Sequence, residues 1–356
     1  MEGSVKNAKA LFARIDPDRL QRFIEQQDDV EGSVVLSELV YPSEGAGSSN
    51  GIAFFKATVD RGQGRETLDL VLRYSPGKQL LKQKTYGAEV LTLRAVAAAG
   101  LAAPHPLWLD PDGGQIGHEG FVMERVVGDT PSAAMYSSGP LANVSAEVRK
   151  ERMLKAADYH GRLRKAALGP DRVPHLVGRG DGETAIEREL NWWFNEVLLV
   201  WPADDPKVAT IRALRDWMIK RQPHDLYPAV LVHGDAQIAN IIYRDGEIAA
   251  VIDWELSYLG HNESDLALLV FLTETQNVTD TQVDGVPTEA DYVRRFEQAS
   301  GGKVAHWPYF KLMNMYRVVS VSSLSAEFMP SFEAVWTFFE GYMRRAWDEA
   351  KASYSD

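Results

Sequence analysis

The chain has 356 residues, 45% apolar and 25% charged, with no cysteine, so it exceeds one ordinary hydrophobic core and has no disulfide framework, thiol nucleophile or cysteine metal site. A net charge of −12 argues against general nucleic-acid binding, although a small phosphate ligand needs only a few local donors. The N-terminus lacks a signal-peptide pattern and no apolar run reaches the roughly 18–20 residues of a membrane span, so the expectation is a soluble, cytoplasmic protein without nucleic-acid or membrane partners.

Asp16 followed by Pro17 is a helix-start signal, and Leu20, Phe23 and Ile24 then share one helical face. Residues 34–42, 51–60 and 67–74 have β texture and are separated by glycine-rich turns. Residues 87–100 read as a helix ending at Gly100, and 106–110 and 119–128 as two further strands. After Arg125 the composition shifts. A loop-like stretch, 128–145, precedes helical patterns at 146–166, 185–200 and 207–222. Two more helices are expected at 308–324 and 331–352. The reading is α+β, with a small β-rich N-terminal lobe, residues 1–125, and a larger mainly helical C-terminal lobe, 126–356.

Between these helices lies LVHGDAQIANIIYRDGEIAAVIDWE, residues 231–255. Asp245-Gly246 is a type I′ hairpin signal joining NIIYR to EIAAVID. A hairpin returns its ends to one place, so Asp235, Asn240 and Asp253 should cluster at one edge. Asp253 and Asn240 offer hard oxygen ligands suited to Mg²⁺. Asp235 is placed to orient an acceptor hydroxyl and take its proton, which is the chemistry of metal-assisted phosphoryl transfer. Each acid or amide alone could equally cap a turn. All four polar residues in this order point to a site, with His233 in a structural role.

The pattern His233-Gly234-Asp235, Asn240, then Asp253-Trp254-Glu255 and Asp265-Leu266-Ala267 resembles the aminoglycoside phosphotransferase and choline kinase-like family of protein-kinase-like fold. It is most similar to the kinase-like domains related to those attached to some acyl-CoA dehydrogenases. The resemblance implies a bilobal fold and an ATP-dependent, Mg²⁺-requiring transfer of the γ-phosphoryl group to a hydroxyl of a small-molecule acceptor. It tilts the acceptor toward a hydroxylated acid or acyl metabolite. It also implies that Asp265 braces the catalytic loop, although an N-cap is an equal reading. The chain has Gly260-His261-Asn262 where the family often has G-D-P.

For the nucleotide, the resemblance points to the glycine-rich stretch SEGAGSSNGIAFF, with Gly47, Ser49 and Asn50 near the phosphates. No Walker A loop is present. Arg73 stands where the family pattern has lysine, and Glu89 on the next helix would orient it. Arginine is a wider planar fork than lysine, and Lys78 and Lys82 are alternative cations. Met123, Glu124 and Val126 resemble the adenine-binding hinge, which works through the Glu124 carbonyl and the Val126 N–H. Trp192, Trp193 and Phe194 suit core packing, with at least one expected at an interface or pocket. Glu255, Glu263 and Glu274 read as solvated surface charge. Two other readings stay open: a nucleotide-binding pseudokinase or scaffold, motivated by Arg73, and a metal-dependent hydrolase using His233, Asp235 and Asp253.

Overall fold

The computed structural model describes residues 14–42, 50–62, 64–75, 77, 80–131, 136–279, 282–327 and 331–354. The chain divides into two compact units. The first comprises Met1–Leu80, Lys84–Ala97 and Ala103–Val126; the second comprises Leu81–Gln83, Ala98–Ala102 and Val127–Asp356.

The first unit opens with α1 (Pro17–Glu25). The Asp16 side chain accepts from the Asp18 N–H at 2.9 Å, and Leu20, Phe23 and Ile24 are its buried face. Five antiparallel strands follow: β1 (Glu31–Leu36), β2 (Gly51–Asp60), β3 (Arg65–Tyr74), β4 (Pro106–Asp110) and β5 (Gly120–Glu124). Their order in the sheet is β1-β2-β3-β5-β4. Along β2 the side chains alternate, so Ala53, Phe55, Ala57 and Val59 enter the core with Leu70 and Leu72 of β3. Helix α2 (Tyr86–Ala98) lies between β3 and β4 in sequence.

The first strand differs from the expected 34–42. It starts earlier and stops at Leu36, because Ser37 interrupts the ladder: its Oγ takes the Lys56 N–H at 2.9 Å. Pairing resumes only as an isolated bridge between Val40 and Phe54. The fifth strand ends at Glu124 rather than near 128.

The second unit is mainly helical: α3 (Ala146–Ala166), α4 (Ala185–Leu198), α5 (Pro206–Lys220), α6 (Glu263–Thr279), α7 (Glu289–Ser300), α8 (Trp307–Leu324) and α9 (Phe332–Ser353). Their starts carry local chemistry. Ser145 caps α3, a Thr184–Glu187 capping box starts α4, and Asp205 caps α5. Helix α7 has no counterpart in the sequence reading, although Thr288 and Asp291 form a capping box at its start. Among the helices lie two strand pairs. Strand β6 (Val230–Val232) pairs with β9 (Tyr258–Gly260), and β7 (Ile241–Arg244) pairs with β8 (Glu247–Val251). Asp245 and Gly246 both have positive φ, 53° and 79°, and Arg244 pairs with Glu247, so the β7–β8 turn is the expected two-residue hairpin. Among the described residues no helix is long and apolar enough to cross a membrane.

Candidate active site

In the second unit, β6 delivers His233, Gly234 and Asp235, and the hairpin returns Asn240 and Asp253. The hairpin closes where the Ile252 N–H donates to the Asn240 carbonyl at 2.9 Å. Gly234 has φ +87°, and a Cβ there would collide with the Leu256 carbonyl, so only glycine suits this turn. Asp253 also lies in the left-handed region, at φ 69° and ψ 57°. Such backbone costs energy in a non-glycine residue and is held only by its surroundings.

Asp235 is held by amides. Gln237 Nε2 and Asn240 Nδ2 each donate to its Oδ2 at 2.8 Å, and Asn240 Nδ2 also reaches the Asp235 carbonyl at 3.0 Å. Both side-chain donors use one carboxylate oxygen, Oδ2. Burial, then the neighbouring Asp253 charge, push the Asp235 carboxyl up to about 7. That is the range of a general base working near neutral pH. Gln237 was missed by the sequence reading. Its signal was an amide two residues after the aspartate.

His233 has a structural place. Its Nδ1 accepts the Asp235 N–H at 3.1 Å, so the ring carries its hydrogen on Nε2, which faces the Ile252 carbonyl at 3.0 Å. Burial pushes its pKa down to about 4, keeping it neutral. Neither nitrogen has a lone pair to spare for a metal, which removes the ligand set of a His233-based hydrolase. Among the described residues no group of three or more His, Asp or Glu could hold a metal ion.

Asp265 does not cap its own helix. Its two oxygens take the backbone N–H groups of His233 and Gly234, each at 2.9 Å. Burial alone would raise its pKa. The His160 ring, 3.4 Å away, with His233 and the Gly234 N–H, holds it below the usual carboxylate range. In the Gly260-His261-Asn262 segment, Asn262 Nδ2 donates to the Leu231 carbonyl at 2.9 Å, tying this turn to β6.

The fit for a divalent cation rests on donor chemistry. Asn240 spends its Nδ2 on Asp235, which leaves its Oδ1 as a ligand atom. Asp253 lies near enough to Asp235 to perturb its ionisation. One amide oxygen and one carboxylate, completed by phosphate oxygens, suit Mg²⁺.

In the first unit, Arg73 on β3 and Glu89 on α2 form a buried ion pair, Nε to Oε2 3.1 Å. Asn50 is buried, and its Oδ1 accepts from Lys84 Nζ at 2.7 Å and from the Tyr86 hydroxyl at 2.6 Å. Lys84 is a cation that the sequence reading passed over in favour of Lys78 and Lys82. Lys82 is exposed and its backbone N–H goes to Glu196 at 2.9 Å. Lys78, Gly47 and Ser49 lie outside the described residues. Met123 is half-buried on β5, and Glu124 is exposed with its N–H donated to the His105 carbonyl at 2.9 Å. Val126 is half-buried and lies just past the end of β5.

Trp192, Trp193 and Phe194 are all buried, in keeping with core packing: Arg179 lies over Trp192 at 3.8 Å, Arg317 near Trp193 at 5.9 Å, and Arg215 over Phe194 at 4.1 Å. One side-chain expectation is corrected. Glu263 is not solvated. It is fully buried, with Arg164 Nη1 and the Tyr227 hydroxyl at 3.0 and 2.7 Å.

The chain is similar to known proteins. The family model described as the phosphotransferase enzyme family matches residues 49–308. Acyl-CoA dehydrogenase family member 11 of Pongo abelii is 23% identical over 321 residues, which cover 87% of this chain but only 39% of that protein. The chain thus spans about two fifths of the length of this relative. Among solved structures, a putative aminoglycoside phosphotransferase from Ralstonia eutropha superposes with a TM-score of 0.65 at 20% identity, covering 95% of this chain and 99% of that one. Aminoglycoside phosphotransferase APH(4)-Ia, in a ternary complex with AMP-PNP and hygromycin B, gives 0.53 at 15% identity over 95% and 99%. These likenesses give the fold: protein-kinase-like, a β-rich N-terminal part and a helical C-terminal part.

Proposed function

From the premise that this chain belongs to the phosphotransferase enzyme family, we propose that it transfers the γ-phosphoryl group of ATP, with Mg²⁺, to a hydroxyl of a small-molecule acceptor. Asp235 is the general base. The observation that carries this reading is the Asp235 carboxylate, pinned through Oδ2 by Gln237 and Asn240 and pushed up to about 7. Its Oδ1 accepts the acceptor proton as the hydroxyl oxygen bonds to phosphorus and the bond to the ADP oxygen breaks.

Asn240 and Asp253 hold the cation, which when bound neutralises charge on the phosphates. In the first unit, Arg73 carries positive charge for nucleotide phosphates, and Glu89 fixes its direction. Lys84, held by Asn50, is a further cation on the same unit. Glu124 and Val126 offer the adenine its backbone carbonyl and N–H. The AMP-PNP complex of the APH(4)-Ia structure supports ATP as donor. The intact Arg73–Glu89 pair supports an active enzyme over a pseudokinase.

The test is a screen of hydroxylated acids, amino alcohols and sugars for acceptor-dependent ADP release. Asp235→Asn should lose roughly 10²–10⁴-fold in kcat while still binding Mg·ATP. Full turnover by that variant would remove Asp235 from the chemistry.

A further inference from the structure

The peptide that leads into Asp235 is fixed at both ends. Its N–H, from Asp235, goes to His233 Nδ1 at 3.1 Å. Its carbonyl, from Gly234, accepts from Arg317 Nη2 on α8. The preceding peptide is fixed by Asp265 through the Gly234 N–H at 2.9 Å. Of these three grips, Arg317 comes from farthest along the chain, and it is 4% exposed.

Arg317 is itself aimed by a second buried charge. Its Nε lies 3.3 Å from Oε1 of Glu189 on α4. The same oxygen accepts from Trp193 Nε1 at 2.8 Å, and the other Glu189 oxygen pairs with Arg179. The Tyr258 ring of β9 lies 5.4 Å from the Arg317 guanidinium and 5.2 Å from that of Arg179. Burying two guanidiniums around one carboxylate carries a desolvation cost that an apolar core would not. The planar fork of arginine does what no apolar side chain can: Nη2 donates to the Gly234 carbonyl while the guanidinium charge stays paired with Glu189, 3.3 Å from Nε.

We infer that Arg317 is a positioning residue for Asp235, acting through the Gly234 carbonyl, with Glu189 setting its direction. This rests on the phosphotransfer reading. The rotation of the peptide before Asp235 decides where its carboxylate stands, and displacement of a base from a near-attack position lowers turnover without altering nucleotide affinity.

The discriminating variant is Arg317→Lys, which keeps a buried cation beside Glu189. A lysine ammonium is a single point and cannot reproduce the two separated contacts. The assay is ATP turnover with water as acceptor, measured on the whole chain beside its melting temperature. The expected result is a KM for ATP within about twofold of wild type and a kcat lower by roughly tenfold or more. If Arg317→Lys does not fold, Glu189→Gln takes its place under the same criterion. An unchanged kcat, or a fall in kcat matched by a rise in KM, overturns the inference and assigns Arg317 to packing alone. Absence of any ATP turnover in wild type, with water and with every hydroxylated acceptor of the screen, defeats the phosphotransfer reading, and this inference with it. Turnover in wild type with unaltered variants defeats this inference alone.

Discussion

Asp235 is half-buried, and its charge has a cost. Burial, then Asp253, raise its folded-state pKa to about 7, against about 3.9 for an unfolded aspartate. Between these values the unfolded chain has released its proton while the folded chain keeps it. Stability therefore falls as pH rises through this window, and the full cost is present above about pH 7. Asp235→Asn removes that cost. In metal-free protein it should stabilise the fold at pH 8 by up to about 4 kcal/mol, and the gain should vanish near pH 4. Denaturant midpoints at the two pH values check this. A variant no more stable than wild type at pH 8 would show that the carboxylate is better solvated than its surroundings indicate. The same substitution is predicted to abolish most turnover, a conflict between stability and activity expected at a catalytic group.

At the scale of elements, the loop from His233 to Asn240 is supported by side chains from helices far away in sequence. Asp265 on α6 binds two backbone N–H groups of the loop. In Asp265→Asn one oxygen becomes an NH₂ group, which cannot accept and opposes one of those donors. Stability should fall by roughly 3 kcal/mol, read from the denaturation midpoint. A change below about 0.5 kcal/mol would mean that the loop holds its shape without α6. The loop residues were legible because their spacing is local: Asp235, Asn240 and Asp253 are joined by a hairpin whose Asp245-Gly246 turn is itself a sequence signal. Arg317 and Glu189 were not legible. They lie on α8 and α4 amid apolar helix patterns, and only the packing of these helices brings them together. Gln237 was hidden differently, since an amide in a loop has no period to mark it. The α7 capping box was visible in Thr288 and Asp291, but the short apolar face behind it, Tyr292 and Phe296, gives a weak periodic signal.

At the scale of the whole molecule, the sequence changes texture near Arg125, and the first compact unit has its last residue at Val126. The sequence could not show that residues 81–83 and 98–102 pack with the helical unit. Long-range partners decide that: the Lys82 and Gln83 N–H groups bind Glu196 at 2.9 and 2.7 Å, and the Ala102 carbonyl accepts from Tyr159 and Val251. The first unit contains the Arg73–Glu89 pair, and the second contains Asp235, Asn240 and Asp253.

The central claim is a nucleotide site completed by a divalent cation on Asp253. It is tested most directly by the melting temperature with ATP, with and without Mg²⁺, for wild type and Asp253→Ala. A ligand that binds only the folded state stabilises it by about 2.7 kcal/mol at 100 times its Kd. The account predicts a clear Mg²⁺-dependent rise in wild type that Asp253→Ala loses. No rise in wild type over a wide ATP range, or an equal rise in the variant, would contradict it.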